Sequence, residues 1–251
     1  MVSRRPRSVT DGTLAFMTAP NTPPRTLVLW DVDHTLIETR GVGRAIYDRA
    51  FPAATGRPLA KLAQISGRTE LDIMAESLRV NGLEPTDEAV KKLADALVQG
   101  YDDARDELAT TGRALPGARE VLEHLATNPA IHQGILTGNL REVARIKLEV
   151  FGLNQYLDFE SSAFGDDHAD RPELVRIARE RAETQTGARF ELRDIVLVGD
   201  TPNDVKAALT AGVRVIAVAT GKSSAEQLRA AGAGEVLQGL SVTKIAKLAI
   251  N

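Results

Sequence analysis

Four short apolar runs recur along this chain: LVLW at 27–30, IHQGIL at 131–136, DIVLVG at 194–199 and VRVIAV at 213–218. Runs of this length without polar alternation are what strands need when both faces of a sheet are covered, the condition of a parallel sheet. Between and after them, REVARIKLEVFG (141–152), PELVRIARERAE (172–183), PNDVKAALTAG (202–212) and AEQLRAAG (225–232) carry helical periodicity, and several end in the glycine that closes helices well. Alternating strands and helices predict an α/β fold, a doubly wound parallel sheet.

One interval breaks the alternation. Residues 41–110 contain no strand pattern but show helical ones around GRAIYDRAF, ELDIMAESLRVNG and DEAVKKLADALVQGYDDARDELA. That is too long for an ordinary connection and predicts an inserted helical subdomain. The sheet-bearing core would then comprise 26–40 and 111–251, with GRALPG at 112–117 turning the chain back. Residues 1–25, rich in Pro, Thr and Arg, read as a flexible tail and not as a secretory signal, with Met17 an alternative start.

Charge and composition narrow the function. Lys and Arg total 31 against 34 Asp and Glu, so no basic field exists to draw nucleic acid. The absence of cysteine excludes disulfides, thiolate zinc sites and cysteine nucleophiles, and agrees with a reducing, cytoplasmic setting. His34, His124, His132 and His168 are too scattered for a helical zinc site, so a metal would rest mainly on oxygen. No apolar run approaches the roughly 18 residues of a membrane helix.

Three strand ends carry the chemistry. DVDHT puts Asp31, Asp33 and Thr35 at the carboxyl end of the first strand, the edge where open α/β sheets bind ligands. Two such carboxylates can divide labour between a nucleophile or metal ligand and a proton-exchanging group, although aspartates also form turns. GILTGN presents Thr137, Gly138 and Asn139 before a helix, a hydroxyl, an amide and a helix N-terminus suited to a phosphate oxygen; the plainer reading makes Asn139 an N-cap and Thr137 a turn residue. DIVLVGDTPNDV adds Asp200 and Asp204, a carboxylate pair that fits Mg²⁺, while Thr201, Pro202 and Asp204 also fit the start of a helix. Trp30, one residue before Asp31, should point to the opposite face, into the core.

Taken together, DVDHT, LTGN and GDTPND resemble the motifs of the haloacid dehalogenase superfamily of phosphohydrolases, from about Leu27 to the C-terminus, and the helical insert resembles a C1-type cap. The resemblance implies a Mg²⁺-dependent phosphatase. Asp31 would be the nucleophile and Asp33 the acid–base group. Mg²⁺ would be held by the Asp31 carboxylate, the Asp33 carbonyl, Asp200 and Asp204, with Thr137, Gly138 and Asn139 at the phosphate. The family's third motif is more often a lysine, but none occurs between Lys147 and Lys206; Arg171, followed by Pro172, takes that place, with Arg176 one turn on as its competitor. Gly67, Arg68 and Thr69 are similar to a cap segment that faces substrate in phosphoglycolate-type phosphatases, and equally to an ordinary helix start. His34 replaces a common Gly or Asn and suits a positive φ. The expected partner is a small phosphorylated metabolite, phosphoglycolate or another phosphomonoester, with neither nucleic acid nor membrane. A sugar phosphomutase of the same superfamily shares both carboxylates. A dehalogenase would lack Asp33, and a receiver-type phospho-acceptor module is about half this length with no insert.

Overall fold

The computed structural model describes residues 23–65 and 67–250. The expected tail therefore lies outside the described residues except for its last three positions. In chain order the elements are β1 (Thr26–Trp30), β2 (Ile37–Glu38), α1 (Val42–Thr55), α2 (Glu70–Val80), α3 (Asp87–Asp103), α4 (Arg105–Thr111) and β3 (Arg113–Ala114). Then follow α5 (Ala118–Ala126), β4 (Ile131–Ile135), α6 (Arg141–Val150), α7 (Arg171–Thr186), β5 (Ile195–Gly199), α8 (Pro202–Ala211), β6 (Arg214–Val218), α9 (Ala225–Ala230), β7 (Glu235–Leu237) and α10 (Val242–Ile250).

Five strands form one parallel sheet in the order β4-β1-β5-β6-β7. The chain leaves β1 to build β4 on one side and later returns to place β5 on the other. That reversal opens a crevice at the carboxyl end of β1, the usual ligand position in such sheets. Side chains of β1 alternate between two cores. Val28 and Trp30 join Val121, Leu122, Leu148 and Ile245, whereas Leu27 and Leu29 join Leu174, Ala178 and Ala207. All four are fully buried, each worth about 1.5–3 kcal/mol by apolar transfer. The Trp30 ring lies in the core as expected, its Nε1 donating to Gln133 Oε1 at 3.1 Å.

Helices α1 to α4 fill the interval that lacked a strand pattern. They share a cluster containing Ile46, Phe51, Met74, Leu93 and Leu97, which also takes in Leu140, Val143 and Ile146 beside and along α6. The insert thus packs against the core through α6. Its two crossings are tied together, because β2 and β3 pair antiparallel with Ile37 opposite Ala114. Arg113 Nε reaches Glu38 Oε2 at 2.9 Å across the same ladder.

Helix α8 starts with a reciprocal cap. The Thr201 hydroxyl accepts from the Asp204 amide at 3.2 Å, Asp204 Oδ2 accepts from the Thr201 amide at 3.0 Å, and Pro202 occupies the first turn. Leu136, read as the end of a strand, instead forms an isolated bridge to Ala163 just beyond β4, and Asp194 belongs to a 3₁₀ turn before β5. Among the described residues, no helix is long and apolar enough to cross a membrane.

Candidate active site

Asp31 follows β1 directly, and its amide donates to Val198 O at 2.9 Å, which fixes the start of the loop to β5. The next turn is left-handed at His34, φ 59°. The His34 amide donates to Ile37 O at 2.7 Å and its carbonyl accepts from the Thr220 hydroxyl at 2.6 Å, so His34 shapes the loop that presents both aspartates. Arg171 opens α7 as a buried residue. Its Nη2 donates to Asp31 Oδ1 at 2.9 Å and also to Asp204 Oδ1, while its Nε has no partner among the described residues. Arg176 is exposed on α7, paired with Glu173 and Glu180, and takes no part in the site. Burial, reinforced by the Asp204 charge and opposed by Arg171, pushes Asp31 up to about 7.

Asp33 faces a different cation, one that motif reading passed over. Lys147 Nζ donates to Asp33 Oδ2 at 2.7 Å and Oδ1 at 3.0 Å, and to Asn139 Oδ1 at 2.7 Å. Burial alone would raise Asp33, but the charge and hydrogen bonds of Lys147 outweigh it and hold the carboxyl below its ordinary value. Lys147 was findable: in REVARIKLEVFG it falls three and four residues after Ala144 and Val143, on the face that is buried.

Asn139 departs from its plainer reading as an N-cap. The residue before α6 is Leu140, so Asn139 is not the N-cap, and its side chain turns inward. Asn139 Nδ2 donates to Asp33 Oδ2 and to Thr137 Oγ1, each at 2.8 Å, so its side chain ties these two groups of the cavity wall together. Thr137 is fully buried and accepts there, leaving its own hydroxyl proton to donate elsewhere. The Gly138 amide makes no hydrogen bond among the described residues, and a Cβ at Gly138 would fall 2.1 Å from Arg68 O and 3.2 Å from Arg171 Nη1.

Asp31, Asp200 and Asp204 bring one carboxylate oxygen each within 4.8 Å of one another. Asp204 spends Oδ1 on Arg171 and Oδ2 on Thr201, whereas Asp200 Oδ1 is buried with no partner among the described residues. Burial and the neighbouring Asp31 and Asp204 charges push Asp200 up to about 9. A Cβ on Gly221 would fall 1.8 Å from Asp200 Oδ2, so only glycine there leaves the carboxylate its place. An oxygen-only cluster with an orphaned buried acceptor fits a hard divalent cation.

The insert closes over these groups. Gly67 (φ 69°) approaches α8 so closely that a Cβ would lie 2.8 Å from Asn203, whose Nδ2 donates to Gly67 O at 2.9 Å. The Glu70 amide donates to Gly138 O at 2.7 Å. Between insert and core lies a cavity of about 320 Å³ whose wall includes Asp31, Asp33, Thr137, Lys147, Arg171 and Asp200. Two residues expected at the substrate have protein partners here. The Thr69 hydroxyl donates to Ala169 O at 3.0 Å and lies outside this wall. Arg68 lines the cavity, but its guanidinium is held by Asp72, with Nε to Oδ2 at 2.6 Å, and by Glu76. The Thr69 contact ties the insert to the core, whereas the partners of the Arg68 guanidinium all lie within the insert. Tyr47, Glu70 and Tyr101 line the cavity and carried no motif signal, because each reads locally as an ordinary helix residue.

The family model of haloacid dehalogenase-like hydrolases matches residues 28–218. No curated protein matches the chain. Among solved structures, a hydrolase from Pseudomonas syringae superposes with a TM-score of 0.65 at 23% identity, covering 89% of this chain and 98% of its own. CbbY from Rhodobacter sphaeroides in complex with phosphate gives 0.67 at 20% identity, over 86% and 95%. A predicted phosphoglycolate phosphatase from Haemophilus somnus gives 0.60 at 17%, over 88% and 98%. At these identities the likeness is one of fold.

Proposed function

The chain belongs to the haloacid dehalogenase-like hydrolases, and from that premise we propose that it is a Mg²⁺-dependent phosphatase acting on a small phosphomonoester through an aspartyl-phosphate on Asp31. The observation that carries this reading is the separate pairing of the two carboxylates in one cavity wall: Asp31 with Arg171, Asp33 with Lys147. Different partners give different tasks to groups two residues apart.

In the first step an Asp31 oxygen bonds to phosphorus, the ester P–O bond breaks, and Asp33 delivers a proton to the departing alcohol. In the second, Asp33 takes a proton from water as its oxygen bonds to phosphorus, and the Asp31–phosphorus bond breaks to release phosphate. Splitting one displacement in two lowers each barrier. Lys147 favours the ionised Asp33 that the second step requires, and the negative charge of a bound phosphoryl group beside Asp33 raises the carboxyl again so that it carries the proton the first step delivers. Arg171 and the Thr137 hydroxyl hold phosphoryl oxygens, and the docked insert keeps bulk water away. Asp31, the Asp33 carbonyl and Asp200 would hold Mg²⁺, with Asp204 contributing directly or through water. The bound cation offsets charge on the transferring phosphoryl group.

A panel of phosphorylated metabolites assayed with Mg²⁺ for free phosphate tests this reading. Turnover is expected, lost with EDTA and lowered about 10³-fold or more in Asp31→Asn. Full activity after thorough chelation, or near-normal turnover of Asp31→Asn, overturns it. An isomerised sugar phosphate without free phosphate would assign the mutase chemistry instead.

A further inference from the structure

We infer that Glu70, supported by Tyr47, reads the leaving group, and that this subsite takes an alcohol carrying a hydrogen-bond donor, a hydroxyl or an ammonium, in preference to one carrying a carboxylate. The inference rests on the phosphatase reading above and names its substrate class.

Glu70 is the first residue of α2, and its amide bond to Gly138 O at 2.7 Å pins that helix end to the loop holding Thr137 and Asn139. Its side chain lines the cavity together with Asp33, Lys147, Tyr47 and Tyr101. Oε1 accepts from the Tyr47 hydroxyl. Oε2 has no protein partner among the described residues, and Glu70 belongs to none of the ion pairs there. The phenol orients the carboxylate, and its hydrogen bond, with the Lys147 charge, opposes the burial that raises Glu70 above its ordinary value.

Most cations in the same wall already face carboxylates. Arg44 pairs with Asp48 at 3.0 Å, Arg68 with Asp72 and Glu76, Arg171 with Asp31 and Asp204, and Lys147 with Asp33, while the half-exposed Arg40 reaches Glu38 at 3.5 Å. Lys222, which has no ion pair among the described residues, also lines the cavity and follows Gly221, whose backbone abuts Asp200. Tyr101 stands behind Lys147, whose Nζ lies 5.0 Å from the ring centroid, and so stiffens the wall between Asp33 and Glu70.

The leaving oxygen must lie beside Asp33, its proton donor. The rest of the alcohol then extends into the cavity that Glu70 lines. A hydroxyl or ammonium there donates to the free Glu70 oxygen, a charge-assisted bond. A carboxylate there meets the like charge of Glu70 while the buried cations of the wall, Lys147 and Arg171, already face aspartates, which discriminates by repulsion.

The test uses esters matched in size: 2-hydroxyethyl phosphate, 2-aminoethyl phosphate, phosphoglycolate, and ethyl phosphate as the donor-free reference. Wild-type kcat/KM is expected to be about 10-fold or more higher for the first two than for phosphoglycolate. Glu70→Gln should lower kcat/KM for the 2-aminoethyl ester about 10-fold, chiefly through KM, raise it for phosphoglycolate, and leave ethyl phosphate within about threefold. Tyr47→Phe should show the same pattern, weaker. A preference for phosphoglycolate, or an equal loss on every ester, overturns the inference. Calorimetric binding of 2-aminoethylphosphonate, 2-hydroxyethylphosphonate and phosphonoacetate to wild type and Glu70→Gln reads the subsite without turnover. If no ester releases phosphate yet the first two bind more tightly and lose that advantage in Glu70→Gln, the phosphatase reading fails and the subsite stands. If the three bind alike, the subsite fails whatever the turnover.

Discussion

Lys147 Nζ lies 2.7 Å from Asp33 Oδ2, its side chain only 4% exposed, so a buried lysine on α6 fixes the carboxylate that follows β1 by three residues. The stem of Lys147 shares its helix face with apolar neighbours, and its charge meets Asp33, Asn139 and the face of Tyr101. A lysine so placed is held by every group around it. Its burial would be costly without them.

Replacing it with methionine keeps the stem and removes the charge. Lys147→Met should lower kcat by about 10²-fold, the usual order for disabling acid–base catalysis. Because Lys147 holds Asp33 below its ordinary value, the variant should also shift the acid limb of the kcat profile, where Asp33 must ionise to activate water, to higher pH. A pH–rate profile with an unmoved acid limb would remove Asp33 from Lys147's influence.

Arg171 bridges two carboxylates that face each other across the site, Asp31 and Asp204. Arg171→Ala leaves both carboxylates buried without their cation, although Thr201 still donates to Asp204, and breaking a buried pair costs about 3–5 kcal/mol. Turnover should fall by orders of magnitude and the melting temperature should drop. Arg171→Lys keeps the charge without the fork, so it should retain activity clearly above the alanine variant. Arg176→Ala, which removes only exposed pairs on α7, should behave as wild type in both assays. A dead Arg176→Ala beside a normal Arg171→Ala would reverse the assignment.

The sequence shows the strands buried on both faces best, because double burial leaves an apolar run that needs no context. β7 (Glu235–Leu237) escaped, since three residues at the sheet edge with Glu235 exposed make no run, and the two-residue ladder of β2 with β3 is too short to have a period. The same division holds at the site. Asp31, Asp33, Asp200 and Arg171 stand at the ends of strands or the start of a helix, where position alone draws attention. Lys147 and Glu70 sit inside helical patterns in which a charged residue is ordinarily solvated, and only the docking of α2 and α6 around one cavity shows otherwise. Arg68 and Thr69 drew attention through local pattern, yet their partners are Asp72, Glu76 and the Ala169 carbonyl. A pattern three residues long does not encode where the side chains point.

The crowding of carboxylates at the sheet edge makes the metal-free protein sensitive to pH in a direction that can be measured. Burial pushes Asp31 up to about 7 and Asp200 up to about 9, against about 3.9 for an unfolded aspartate. Between those values the folded chain holds protons that the unfolded chain has released. Stability therefore falls as pH rises, on the order of 1 kcal/mol per pH unit for a single such group. In EDTA the melting temperature should decline from pH 6 to pH 9 by several degrees, since about 1 kcal/mol moves a chain of this size by about 2–4 °C. A divalent cation stabilises the ionised carboxylates and takes the place of the proton, so Mg²⁺ should raise the melting temperature more at pH 9 than at pH 6 and flatten the slope. Asp200→Asn removes the largest of these shifts. It should lessen the decline in EDTA and blunt the response to Mg²⁺. A metal-free melting temperature that climbs from pH 6 to pH 9 would contradict the burial of these acids, and an undiminished Mg²⁺ response in Asp200→Asn would move the cation away from Asp200.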